Sequence, residues 1–160
     1  MTSPHDVQSP APDDLGLVDA LAQLSFLVQN ALAGIAGEYD LSLTQTRLLG
    51  ILRDREPTMN QLGRHLGLDK SSITGLVDRA QRRGLVTRTV STVDRRSFQV
   101  SITDTGREMA TQVAARFAEQ IERYTAPLPE ADRARLSHLA TRIVTADAEA
   151  HGVDLGTKRD

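Results

Sequence analysis

Few side chains in this 160-residue sequence could do covalent or metal chemistry, and they do not converge. There is no cysteine, which excludes a disulfide framework, a thiolate zinc site and a thiol redox switch. The four histidines, His5, His65, His138 and His151, are scattered. His65 lies beside a turn between two short helical runs and reads as a partly exposed structural residue. Asp147, Glu149 and His151 have ligand chemistry but fall where the chain is expected to fray, so a solvated charge cluster is the ordinary reading. No GxSxG elbow, Walker loop, dinucleotide fingerprint or HExxH pair occurs. A binding protein is expected rather than an enzyme, with no cofactor and no metal.

Binding chemistry is concentrated in the middle of the chain. Thr58 to Arg107 holds nine Lys/Arg against four Asp, a local charge of +5, whereas the remainder holds ten against seventeen, a local −7. A basic centre between acidic ends suits a polyanion. Within it, successive steps of ~100° put Ile73, Leu76, Val77 and Ala80 on one side of a helix spanning Asp69 to Arg83. Ser71, Gly75, Asp78 and Arg82 fall opposite, Thr74 and Arg79 flank them, and Lys70 and Ser72 join them in the first turn. Short polar groups at a helix N-terminus can approach bases and phosphates closely, and the N–H groups there favour a phosphate. Further on, Asp94, Arg95 and Arg96 occupy a loop tip that is poor for burial but fits a minor groove. These eight helical and three loop residues are the candidate DNA-binding set. Their ordinary alternatives are a mixed-charge surface helix and a solvated turn.

The elements that must hold this set can be read from periodicity. Hydrophobic residues make up 39% and aromatics only 3%, so a soluble globular chain with a core of Leu, Ile, Val and Ala is expected, which suits packed helices. Leu15 to Glu38 has the apolar spacing of a long amphipathic helix, ending near Gly37 and Asp40. Thr44 precedes a second helix that Pro57 stops. Thr58-Met59-Asn60-Gln61 has the form of a capping box, Gly67 closes that short helix, and Asp69 caps the next, which Gly84 ends. The period then changes to two: Leu85 to Val90 pairs with a strand in which Phe98, Val100 and Ile102 face the core. Thr103 caps a helix broken by Pro127 and Pro129, and a last helix starts at Glu130. No apolar run approaches the ~20 residues needed to cross a bilayer, and Met1 to Asp14 lacks the features of a secretory signal. A cytoplasmic location and no membrane partner are the default expectations.

Two short helices around Gly67 followed by a hairpin with a basic tip describe a winged helix-turn-helix. The segments LGRHLGL (62–68), SITGLV (72–77), DRAQRRGLV (78–86), the Asp94-Arg95-Arg96 tip and ITDTGR (102–107) together resemble the MarR family of bacterial regulators, over about residues 44 to 107. The resemblance implies a mainly α (α+β) fold: a winged helix-turn-helix at 44–103, with long N- and C-terminal dimerisation helices at 15–43 and 104–150. Together these form one domain over 15–150, between a mobile tail at 1–14 and a frayed end at 151–160. It implies a homodimer bound to a palindromic double-stranded DNA operator, more often a repressor, and a small aromatic or anionic effector that releases DNA. It further implies that the wing arginine matching Arg96 reaches the minor groove, and that the wing aspartate matching Asp94 orients neighbouring arginines. Position 75 departs from the family pattern, carrying Gly where relatives have a larger polar or basic residue. The other reading is a winged-helix protein-interaction module without specific DNA binding, against which the basic centre argues.

Overall fold

The computed structural model describes residues 14–91 and 96–153. In chain order it contains α1 (Gly16–Glu38), α2 (Leu43–Leu52), α3 (Met59–Leu66), α4 (Lys70–Arg82), β1 (Val86–Val90), β2 (Phe98–Ile102), α5 (Asp104–Thr125) and α6 (Glu130–Ala150).

Most helix starts follow from side-chain caps. Helix α2 begins two residues earlier than Thr44 implied, because Ser42 rather than Thr44 has a glutamine three residues on. The Gln45 N–H donates to Ser42 Oγ at 3.1 Å, and the Ser42 N–H donates to Gln45 Oε1 at 2.9 Å. Thr58 and Gln61 form the same reciprocal pair for α3, at 3.3 and 2.8 Å. Gly67 ends α3 with φ +65°, and the Leu68 N–H closes the turn on the Gly63 carbonyl at 2.9 Å. Thr103 caps α5 by accepting from the Gly106 N–H at 3.0 Å, while its own hydroxyl donates to the Gly84 carbonyl at 2.7 Å. One threonine thus starts α5 and fastens it to the turn that leaves α4. Pro127 and Pro129 separate α5 from α6 as expected.

The core collects Leu48, Leu49 and Leu52 of α2, Leu62 and Leu66 of α3, the inner stripe of α4, Leu85 and Val86, Val100, and Ala110 and Val113 of α5. The strands pair antiparallel from Val86↔Ile102 to Val90↔Phe98. The chain before α3 adds itself to β2: Val100 donates its N–H to the Pro57 carbonyl at 3.0 Å, and Thr58 bridges Gln99. Phe98 was expected to face the core but is 49% exposed. It pairs with Val90 at the outer end of a two-stranded ribbon, beyond the reach of the helices, and Val90 is exposed as well.

Helices α1 and α6 contribute little to this core. Only Ile35 and Ala36 of α1 and Ala148 of α6 are buried. Exposed along α1 are Leu17, Val18, Leu21, Leu24, Phe26 and Leu27, and along α6 Leu136, Leu139, Ile143 and Val144. Contrary to the sequence-based expectation, α1 is long and apolar enough to cross a bilayer by length and composition alone, with a mean hydropathy of 1.3 over an 18-residue window. The Ala residues that break up the run of large apolar side chains still keep the mean hydropathy high, and Asp19 and Glu38 are its only charges. Its C-terminal end is bound to the rest of the fold. Arg83 donates to the carbonyls of Asp40 at 2.6 Å and Tyr39 at 3.2 Å, and Arg116 pairs with Glu38 at 3.0 Å.

The end of α6 is capped rather than frayed through Val153. Gly152 takes φ +64°, and the Val153 N–H bonds the Ala148 carbonyl at 2.8 Å. The tail at 1–13, the loop tip at 92–95 and the segment 154–160 lie outside the described residues.

Candidate nucleic-acid interface

Helix α4 is held from below and left open above. Ile73, Leu76, Val77 and Ala80 are at most 3% exposed and lie in the core, the stripe expected from the sequence. On the other side Lys70, Ser71, Ser72, Arg79 and Arg82 are exposed, and Thr74, Gly75 and Asp78 are half-buried. None of the eight helical candidates lies in the core, and they spread around the side of α4 away from the buried stripe. Arg96 is exposed in the turn two residues before β2, while Asp94 and Arg95 lie outside the described residues.

Hydrogen bonding divides the eight into committed and uncommitted groups. The Asp69 carboxylate accepts from the Ser72 N–H at 2.8 Å, from the Ser71 hydroxyl at 2.8 Å and from the Ser72 hydroxyl at 2.9 Å. The Thr74 hydroxyl donates to the Lys70 carbonyl at 2.7 Å. The protons of all three hydroxyls are thus spent inside the helix, and what they offer outward is acceptor capacity. The Ser72 N–H and the two serine hydroxyls hold the Asp69 carboxyl well below the ordinary 3.8, at about 2. A depressed carboxylate stabilises the fold fully above its unfolded value and loses that contribution as pH falls through the folded one. The advantage of the wild type over Asp69→Ala in urea midpoint is therefore expected to be flat above pH 3.8 and to shrink as the pH is lowered to about 2. An advantage that persists unchanged at the acid end would show that the cap does not act through its charge.

Asp78 has a partner outside its own helix. Its carboxylate pairs with Arg88 of β1 at 2.7 Å, and Arg88 Nε donates to Gln81 Oε1 at 3.0 Å. A carboxylate facing phosphates would repel them, and here Arg88 neutralises it while tying α4 to the root of the wing. Arg88 was missed from sequence because nothing in its local pattern says which residue ten positions earlier it will meet. Two other basic residues of the central stretch are structural: Arg83 holds the end of α1, and Arg107 donates to the Arg53 carbonyl just beyond α2 at 2.8 Å. Cations suit helix C-termini, where carbonyls lack partners. Arg64, Lys70, Arg79, Arg82 and Arg96 remain on exposed surface. His65 Nε2 lies 3.5 Å from Arg55 Nη1, which agrees with a structural role for this histidine.

A separate feature is a cavity of about 230 Å³ between α1, α2 and α5, lined by Leu32, Leu49, Val113 and Phe117, together with Arg47 and Arg53. The walls are mostly apolar, and the Arg53 guanidinium is already paired with Asp54 at 3.0 Å, which makes Arg47 the lining cation that would meet an apolar ring carrying a negative charge.

The geometry defines a winged helix-turn-helix protein. Residues 39–97 match the profile of the MarR family. The chain is 26% identical over 131 residues to the HTH-type transcriptional regulator PecS of Dickeya dadantii, covering 79% of each chain. Among solved structures, the Staphylococcus aureus MepR–DNA complex superposes with a TM-score of 0.68 at 17% identity, over 83% of this chain and 99% of that one. NadR in complex with 4-hydroxyphenylacetate gives a TM-score of 0.68 at 17% identity, over 85% and 97%. On these likenesses residues 39–97 are similar to the winged-helix domain of the MarR family.

Proposed function

We propose that this protein is a DNA-binding transcriptional regulator of the repressor type, which grips a palindromic operator as a homodimer and lets go when a small effector binds. The observation that carries the reading is the outer side of α4, supported from below by the core, where Lys70, Arg79 and Arg82 are exposed among the described residues and Arg96 is exposed on the adjoining wing. In this reading α4 enters a major groove and the Arg96 region an adjacent minor groove.

The homodimer is supported by the exposed leucines and valines of α1 and α6. Contiguous apolar surface of this kind needs a cover. A second copy fits better than a bilayer, because the C-terminal end of α1 is built into the DNA-binding lobe through Ile35, Ala36 and the Arg83 clamp. A cytoplasmic location follows from the same reading. Two copies related by a twofold axis set their α4 helices about one DNA turn apart, ~34 Å, which is why a palindrome is the expected target.

The effector is assigned to the cavity between α1, α2 and α5. Its volume of about 230 Å³ suits a single substituted ring, since an apolar cavity of roughly 150 Å³ accepts benzene. The NadR ligand is a phenolic carboxylate, the chemistry that Arg47 would favour. The cavity lies where the DNA-binding lobe meets the two long helices, so filling it can change the spacing of the α4 pair.

Selection of bound genomic fragments tests the proposal, followed by titration of the recovered duplex. Arg96→Ala is expected to weaken that complex by ~1–3 kcal/mol. Unchanged affinity in this variant refutes the wing contact, and recovery of no enriched sequence favours a protein-interaction module instead.

A further inference from the structure

Gly75 breaks the pattern of polar residues on the outer face of α4, where the family pattern has a larger polar or basic side chain. The structure suggests a different role. A Cβ built on Gly75 would lie 3.2 Å from Nη1 of Arg79, so the Arg79 guanidinium rests against the helix where a side chain at position 75 would stand. The two residues are four apart and therefore neighbours along the helix surface. Position 75 lies opposite the buried stripe, at the centre of the outward face.

The other polar groups on that face narrow the choice of reader. The hydroxyl protons of Ser71 and Ser72 go to Asp69, that of Thr74 goes to a carbonyl of its own helix, and Asp78 is paired with Arg88. Lys70 opens the helix and Arg79 and Arg82 share its last turn, where only Arg79 lies against the glycine at position 75. A guanidinium is planar and presents paired N–H groups, the arrangement that matches the O6 and N7 acceptors of guanine in a major groove. An arginine held flat along the helix also lets the helix backbone approach the base edge more closely than one standing off it.

We infer that Arg79, seated over Gly75, is the base-reading group of α4 and that Gly75 determines specificity by leaving the seat empty. This rests on the reading of α4 as the helix that meets DNA. It assigns the recognised chemistry as a guanine edge in each half-site, and it accounts for a glycine in a helix interior, where it costs stability.

The test compares wild type, Gly75→Ala, Arg79→Ala and the double variant, each full-length, by selection from a pool of random-sequence duplex DNA. The affinities of duplexes altered one base pair at a time are then measured. Arg79→Ala is expected to erase preference at one G·C pair per half-site, a loss of roughly 5- to 150-fold in discrimination, with little change at other positions. Gly75→Ala is expected to raise the thermal midpoint while reducing preference at that same pair, because the added methyl displaces the guanidinium from its seat. Opposite signs for stability and specificity separate this effect from misfolding. In the double variant Gly75→Ala should have no further effect on that pair. The inference is overturned if Gly75→Ala keeps the full preference, or if Arg79→Ala weakens all sequences equally as a phosphate contact would. If wild type enriches no sequence, the DNA-binding reading itself fails and this inference goes with it.

Discussion

Deletion of residues 126–160 should yield a folded monomer that has lost nearly all operator preference. The deletion removes α6, whose only buried residue is Ala148, so the core around α2 to α5 keeps its contacts and the helical signal of the remaining chain should persist. What disappears is the apolar face formed by Leu136, Leu139, Ile143 and Val144. Without it the matching surface of α1 has no complete partner. A lone protomer makes the contacts of one half-site only. Specific complexes are typically ~10³-fold or more tighter than non-specific ones, and most of that margin should vanish with the second half-site. Sedimentation shows the mass and anisotropy the affinity. A truncated chain that remains dimeric and binds as tightly as the full protein would contradict the proposed role of α6.

Gly106→Ala should be the most damaging single methyl in the described fold. A Cβ at this position would collide with the Leu85 carbonyl oxygen and would lie 3.0 Å from Cγ1 of Ile102. Neither neighbour is a flexible side-chain end. The Leu85 carbonyl already accepts the Thr103 N–H at 3.0 Å, so moving it breaks the junction between the α4 turn, the hairpin and α5. Overpacking of this kind costs about 1–3 kcal/mol, and here backbone must shift as well. The loss should show as a lower urea midpoint with an unchanged slope. Gly106→Ser should behave alike, since the collision is with Cβ itself. A midpoint equal to wild type in both variants would mean that α5 stands off from this turn.

The features legible in the sequence are those whose partners lie within about four residues. The Thr58–Gln61 box, the Asp69 and Thr103 caps, the Gly67 turn and the inner stripe of α4 all belong to this group. Even the error at the start of α2 is local: Ser42 and Thr44 are both good caps, and only Ser42 has a glutamine at the matching offset. The features that escaped depend on distant partners. Arg83 reaches Asp40 across 43 positions and Arg107 reaches Arg53 across 54, so two arginines that add to a basic patch by count are structural clamps in space. Asp78 meets Arg88 across ten positions, a partner that the pattern of α4 alone does not announce. Phe98 continues the strand alternation correctly but lies past the end of the core, a boundary that periodicity does not mark. Gly75 is the most instructive case: its helix was foreseen, but its value depends on where the side chain one turn later comes to rest.

The most direct test of the central claim is a comparison of two duplexes, the sequence recovered by selection and a scrambled version of the same length and composition, titrated with the protein over a series of salt concentrations. Cations that neutralise phosphates predict a steep linear fall of log affinity with log salt for both duplexes. The base-reading surface of α4 predicts a gap between them that survives as salt rises, at ~10³-fold or more. Equal affinity for the two duplexes at every salt concentration, or an affinity that ignores salt, would contradict the account.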